Sequence, residues 1–550
     1  MNMSSRSRRR RRHLIPVVAL AAVGAAGGAV VVAGCGDSAS AVSAPASIAG
    51  YIPAQSPLYV QVSTDTDGPQ WTNLMRLGAL FPGFGSMRAE VDRVLAREGV
   101  DWERDLAPLL GESAAVAATG VPDAGSPGGP SATAATAHDL SIVVVVQIAP
   151  GRADDVKALI TKAPGGLTAA GTRDGATLYT DSTAGMNAAV TDESLIIGSG
   201  AAVVTQALEA HAAGGNATLA GVVRFNEALA LLPEDVFALA YVNLDVVGGA
   251  AREVVPQIAP LADGQMTGAA AVSVTAEPDG LRMKAVLVDA PPILTQHEFV
   301  PALTARAPAD TVAYVGFNRL ADTVQAALAT ASSRASGETK KQVEVITDQL
   351  PRLLGVNAAD LRNLAGGEHA LVVGGTGPSP RVVLALDVAD GAGAAKSLAA
   401  LTRSVPAVIR TFGSGAVTVG AVTDFPPGAV TGQVLTLGAG RSIAWGVRGD
   451  LAGIGNGAAA VTSVLAPRAA GDSLAGNATF RAATEGMPAK VTGLAYVDMT
   501  RVVSMLAARG AFDGGKDAIT RADLEPIRTI AAWSTGGDTP TVEVVVGLGR

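Results

Sequence analysis

Cys35 is the one cysteine among 550 residues, and it closes the run Val32-Ala33-Gly34-Cys35 directly after an apolar stretch that begins at Leu14. A peptidase that cuts an extended chain needs small side chains at its site, and Ala33 and Gly34 supply them. The expected chemistry at Cys35 is therefore cleavage before it and acylation of the new N-terminal cysteine. Each buried acyl methylene adds roughly 0.8 kcal/mol of membrane affinity, so two or three chains hold firmly. The other residues able to do chemistry are dispersed. The five histidines, His13, His138, His211, His297 and His369, include no pair at metal-ligand spacing and have no cysteine partner, so no metal site is expected. Carboxylate pairs occur at Asp65/Asp67, Glu103/Asp105, Asp154/Asp155 and Glu234/Asp235. Acid–base work needs two such groups across a cleft, which nearness in sequence does not provide. Glu234/Asp235 reads as a solvated turn, and Asp65-Thr66-Asp67-Gly68 is an incomplete calcium loop.

Two further patterns fail on chemistry. Gly471-Asp472-Ser473-Leu474 spells the signature of a serine esterase family. Ser473 would need a histidine downstream to take its proton, and the last histidine in the chain is upstream, at position 369. A turn or cap before a helix near Phe480 is expected there instead. Gly510 to Lys516 nearly spells a phosphate-binding loop, but Asp517 stands where Ser or Thr would hold magnesium, and a helical run, Arg501 to Arg509, precedes it where a strand is required. The turns Ile197-Gly198-Ser199-Gly200 and Ile454-Gly455-Asn456-Gly457 lack the rest of a dinucleotide fingerprint. No catalytic residue and no cofactor is expected.

Residues 1–34 have the three parts of an export signal: Arg6 and Arg8 to Arg12, the apolar run Leu14 to Val32, and the small residues before Cys35. Arg11-Arg12-His13-Leu14-Ile15 also resembles a twin-arginine signal. Residues 35–47, small and polar, read as a flexible tether. The expected location is the extracytoplasmic face of the cell membrane, held by lipid. The alternative is a single uncleaved N-terminal membrane anchor, since the apolar run approaches the roughly 20 residues that span a bilayer. Without the six arginines of the signal, 35 basic residues face 49 acidic ones, a net charge of −14. Such a body repels phosphate backbones, so nucleic acid is not an expected partner.

The elements that must position any site come in two sets. Thr218-Leu219-Ala220-Gly221 recurs 255 residues later as Ser473-Leu474-Ala475-Gly476. At the same spacing Phe225 matches Phe480, Tyr241-Val242 matches Tyr496-Val497, and Tyr59-Val60 matches Tyr314-Val315. Asp105 matches Asp360 and, with an offset of one, Glu112 matches Glu368. A spacing shared by separated segments predicts two copies of one domain, residues 48–289 and 299–550, joined by a linker at residues 290–298. Strands are expected at Leu58–Val62, Ser141–Ile148, Phe237–Asn243, Val312–Phe317, Arg381–Val388 and Thr492–Asp498. Helices are expected at Phe84–Gly99, Ala153–Lys162, Ala201–His211, Lys341–Leu354, Ala392–Ser404 and Ala458–Leu465. Each copy ends in a hairpin, one turning at Pro278-Asp279-Gly280 and the other at Gly536-Gly537-Asp538. Thr119–Ala137 and Thr411–Gly432 read as variable surface segments. The tyrosines at positions 59, 241, 314 and 496 should pack a sheet face. The expected class is α+β, two tandem copies of a largely antiparallel sheet covered by helices.

The opening Tyr51-Ile52-Pro53-Ala54-Gln55-Ser56-Pro57-Leu58-Tyr59-Val60, then Phe81-Pro82-Gly83 and Asp105-Leu106-Ala107-Pro108-Leu109-Leu110-Gly111, resembles the domain-of-unknown-function family three-three-five-two of exported bacterial proteins. The resemblance implies an envelope location and a shared fold, with no activity and no site residues to carry over. The function expected from these observations is that of a membrane-anchored binding or scaffolding lipoprotein. Its partners would be the membrane and an envelope protein or apolar ligand. The alternatives are a carrier of a lipid or other apolar molecule, and an extracytoplasmic hydrolase that uses carboxylates.

Overall fold

The computed structural model describes residues 48–97, 99–120, 141–162, 167–181, 186–247, 267–289, 297–319, 358–375, 379–412, 419–425, 430–438, 440–512 and 519–549. Residues 1–47 with Cys35, the expected helix at Lys341–Leu354, and most of the linker and of the Thr119–Ala137 segment lie outside them. The chain falls into two compact units. The first comprises residues up to Pro291 with 538–544 and 548–550; the second comprises 292–537 with 545–547.

The first unit contains strands β1 (Leu58–Ser63), β2 (Leu110–Gly120), β3 (Ser141–Ile148), β4 (Thr168–Arg173), β5 (Ala176–Thr180), β6 (Asn187–Val190), β7 (Ser194–Gly198), β8 (Ala238–Asn243), β9 (Ala269–Ala276) and β10 (Gly280–Val288). They pair antiparallel in the order 4-5-6-7-3-2-1-8-9-10. Helices α1 (Pro69–Gly78), α2 (Phe84–Arg97), α3 (Ala153–Lys162), α4 (Ala201–Ala213) and α5 (Val223–Ala230) complete it. The β-branched run of β3, Ile142 to Val146, sends alternate side chains to opposite faces, and both are buried. Val143 and Val145 join Tyr59, Ala115 and Ile196 beneath Val204, Leu208 and Phe225 of α4 and α5. On the other face Val146 meets Val62 and Phe237 beneath Trp71 and Leu74 of α1, and Ile148 meets Val156 of α3. Local signals set the helix ends. Pro69 opens α1 where its missing N–H costs nothing. Asp154 and Asp155 lie in the first turn of α3 and Lys162 in its last, matching the helix dipole.

The second unit contains β11 (Thr311–Asn318), β12 (Glu368–Gly374), β13 (Arg381–Asp387), β14 (Val419–Asp424), β15 (Thr431–Leu437), β16 (Arg441–Arg448), β17 (Leu451–Gly455), β18 (Gly493–Asp498) and β19 (Ile527–Thr535). Their antiparallel order is 14-15-16-17-13-12-11-18-19. The last strand, β20 (Thr541–Leu548), is divided between the two units. Helices are α6 (Ala358–Ala365), α7 (Gly391–Phe412), α8 (Ala458–Leu465), α9 (Ala478–Ala483), α10 (Met499–Ala507) and α11 (Arg521–Leu524). Val461 and Val464 of α8 cover Tyr314, Ala370, Val383 and Ala444 on one face. Leu398 of α7 covers Leu386, Trp445 and Ala452 on the other. Trp445 donates its indole N–H to Thr402 Oγ1 at 2.7 Å, so its polar edge is satisfied in the core.

The structure is therefore α+β, with a large antiparallel sheet and helices on both faces. Two expectations change. The helix expected to stop at Ser404, ahead of Pro406, runs on to Phe412. An internal proline supplies no backbone N–H and so removes one hydrogen bond, a loss that a helix of 22 residues can offset. The variable segment Thr411–Gly432 contains an edge strand, β14, where a loop was expected.

Candidate functional site

The second unit buries two titratable groups side by side in sequence. Glu368 opens β12 with 7 % of its surface exposed, and His369 follows with none exposed. Both oxygens of Glu368 lie 3.1 Å from the Leu303 N–H, in the short 3-10 helix Ala302–Ala305. The Tyr314 hydroxyl donates to Oε1 at 3.3 Å. Burial raises the Glu368 pKa to about 7, against the opposing pull of the Leu303 amide and the Tyr314 hydroxyl. His369 donates from Nε2 to the Leu364 carbonyl at 3.1 Å and stacks on Phe317 with ring centroids 5.4 Å apart. Burial lowers its pKa. Successive strand residues point to opposite faces, so the two groups do not converge on one reacting atom. Glu368 works as a buried clamp: it satisfies an amide at the start of a short helix and ties that helix to β12.

The offset of one that set Glu112 against Glu368 is corrected by strand register. Glu368 pairs with Asn318, and the residue paired with Ser63, at the matching place in the first unit, is Ser113. Ser113 is 3 % exposed and its hydroxyl lies 3.5 Å from Gln147 Oε1. The Tyr59 hydroxyl of that unit goes instead to Gln61 Oε1 at 2.6 Å. All four strand tyrosines are buried, with at most 1 % exposed, and burial raises the pKa of each. They pack the sheet face, as expected.

The remaining candidates are structural. Ser473 is 2 % exposed; its hydroxyl donates to the Ala470 carbonyl at 2.7 Å and accepts from the Gly476 N–H, so it holds a turn. Thr218 donates to the Gly215 carbonyl in the same way. The helix preceding Gly510 is α10, as expected, and residues 513–518 lie outside the described residues. The Asp235 side chain departs from the solvated turn expected for it. It is 4 % exposed and accepts from Gln70 Nε2 at 3.1 Å, while Gln70 Oε1 takes the Ala276 N–H. That bridge staples α1 to β9. Asp154 and Asp155 form exposed ion pairs with Lys157 and Arg152. Asp105 accepts from the Asp101 N–H and Asp101 from the Arg104 N–H, a reciprocal cap, and Glu103 pairs with Arg88. Asp360 lies in the first turn of α6, and Asp65 holds a turn by accepting from the Asp67 N–H. His211 stacks on Tyr51 at 3.8 Å; His297 is half-buried beside Arg319; His13 and His138 lie outside the described residues. Among the described residues no three His, Cys, Asp or Glu side chains gather as metal ligands, and no helix is long and apolar enough to cross a membrane.

Two clefts, each about 50 Å³, open in the first unit. One is lined by Ser273, Thr275, Arg282, Lys284 and Pro233 with Glu543, a polar wall with one carboxylate. The other is apolar. Trp102 and Leu106 of a π-helical turn (Trp102–Leu106) and Val156 and Leu159 of α3 stand over Val146 and Ile197 of the sheet. Neither cleft was legible in sequence, because the side chains come from segments far apart in the chain.

The sequence profile described as "Protein of unknown function (DUF3352)" matches residues 14–546. No curated protein matches the chain. Three solved structures of TP0453 are similar at low scores. Crystal form III is 12 % identical, covering 48 % of this chain and 90 % of that one, with a TM-score of 0.24. Crystal form IV is 12 % identical over 46 % and 87 %, with a TM-score of 0.26. Crystal form I is 10 % identical over 47 % and 89 %, with a TM-score of 0.25. With its profile matched from residue 14 to residue 546, the chain belongs to the DUF3352 family.

Proposed function

We propose that the chain is a lipoprotein, anchored to the extracytoplasmic face of the membrane through Cys35, whose body is a binding or scaffolding module made of two copies of one domain. The observation that carries the two-copy reading is a register. Leu58 to Val62 of β1 pair with Val242 to Ala238 of β8. Each of these five pairs recurs, 255 residues on, between Ala313–Phe317 and Val497–Gly493. Strand order in the two units supports the same reading, as does Gly221 with its match Gly476. A Cβ on either would come within 2.0 Å of a backbone carbonyl oxygen, of Gly215 and of Ala470 respectively.

A binding role is favoured over hydrolysis because the buried carboxylate of Glu368 has both oxygens engaged and lines neither cleft. A second reading, carriage of an apolar molecule, is supported by the apolar cleft under the Trp102–Leu106 turn. At about 50 Å³ that cleft admits only the end of a chain unless it widens. One experiment addresses both. Intact and native mass spectra of the membrane-extracted protein should show acyl mass on wild type that disappears in Cys35→Ser. A bound apolar molecule in the native spectrum would select the carrier. Identical masses for wild type and Cys35→Ser, apart from the substitution, would remove the anchor.

A further inference from the structure

We propose that the end of the first unit where the tether enters lies flat on the bilayer surface, an inference that rests on the lipid anchor proposed above. Two segments build this end, Ile48–Leu58 and Ala210–Val223, and neither contains an Asp, Glu, Lys or Arg. They are packed together. Pro53 bridges Thr218, Ala54 N–H donates to the Ala217 carbonyl, Leu219 N–H donates to the Ile52 carbonyl, and Tyr51 stacks on His211. Gln55, Asn216 and Ala217 are exposed, and Val223 is 69 % exposed. Among the described residues the flanking charges form two clusters, Arg173 with Asp174 and Glu209, and Arg224 with Asp245 and Asp289, so each arginine offsets one of two carboxylates beside the charge-free segments.

A neutral surface of this kind stands out on a body of net charge −14. The second unit does not repeat it. Counting 255 residues on, Tyr51, Gln55, Ala213 and Ala217 become Arg306, Asp310, Arg468 and Asp472. The charge-free version is confined to the unit that follows the tether. Cys35 stands 13 residues before Ile48, a reach of at most about 45 Å when extended. An anionic leaflet repels an acidic body, and the repulsion is screened only beyond about 8 Å. The face able to approach closest is the neutral one, and Val223 adds apolar area at the headgroup level.

The test uses the full lipidated chain on phosphatidylcholine vesicles with a minority of phosphatidylglycerol. Because acylation consumes Cys35, Asn216→Cys or Asp472→Cys adds one free thiol for a fluorophore. A headgroup-attached quencher should quench the label at position 216 severalfold more than the label at position 472. Equal quenching, or stronger quenching at 472, on protein that floats with vesicles would overturn the face and leave the anchor standing. Protein that does not float overturns the anchor and this face with it. Disulfide-linked dimers through Asn216→Cys, without quenching, would assign the surface to a second copy of the chain and so overturn the bilayer.

Discussion

Glu368 illustrates how a single residue can cost stability and still be kept in place. Its carboxyl is raised from its ordinary value of 4.5 to about 7 by burial in the second unit. Between these values the folded chain holds a proton that the unfolded chain has released, so stability falls as pH rises through the window from about 4.5 to 7. The effect is roughly 3 kcal/mol at most. His369 works in the opposite sense: its lowered pKa makes stability fall as pH drops below its unfolded value near 6.5. The Asp387 carboxylate raises the pKa of both groups, and Tyr314 is the other titratable side chain against Glu368. Glu368→Gln keeps an acceptor for the Leu303 N–H and removes the titration. Urea melts at pH 5 and pH 8 should therefore show the variant gaining on wild type as pH rises, by about 2 kcal/mol. A constant difference across that range would mean that Glu368 is ionised throughout.

At the level of elements, the sheet edges show how the fold limits unwanted pairing. β4 is an edge strand, exposed along nearly its whole length, and an exposed edge is a template for another chain. Its register to β5 slips at Ala170, where Ala169 faces Tyr179 and Gly171 faces Leu178. Gly171 sits at φ +121°, a conformation that favours glycine. The edge strand β14 of the second unit carries a similar slip, between Val419 and Val422. Such bulges twist an edge away from flat pairing. Deleting Ala170 should restore a regular edge, and because both faces of β4 are exposed the fold should survive. The expected outcome is concentration-dependent self-association by light scattering with an unchanged circular dichroism spectrum; a monodisperse deletion variant would show that the bulge has no such role. These edge strands were among the elements that sequence pattern did not reveal, together with the central strands β2 and β12 and the helix α1. Thr168-Ala-Ala-Gly-Thr-Arg has no apolar alternation because neither face is buried. By contrast β3, β13, α3 and α8 were legible almost to the residue, since β-branched runs and amphipathic spacing report burial directly.

For the whole molecule, the repeat spacing could be seen in the chain, but which side chains would be left unengaged could not. The Glu368 clamp was invisible because its partners, Leu303 and Tyr314, stand 65 and 54 residues away. The tyrosine strands were visible because the two units spell them alike, and their packing carries a quantitative consequence. In the first unit Phe225 meets Tyr59 edge-on at 5.6 Å and Tyr241 at 5.0 Å. In the second, Phe480 meets Tyr496 at 5.1 Å with nearly the same interplanar angle. Removing either phenylalanine should cost about 3–5 kcal/mol through lost burial and the cavity left behind. Each aromatic pair adds about 0.5–1.5 kcal/mol beyond burial, so Phe225→Ala, with two edge-on pairs, should cost about 1 kcal/mol more than Phe480→Ala. Trp71 and Trp102 report on the first unit and Trp445 and Trp533 on the second, so paired Trp→Phe backgrounds can assign each loss by fluorescence. Large losses in that order would support two copies of one packing design. A negligible cost at either position would mean that the matched spacing does not carry matched packing, and the two-copy reading would fall.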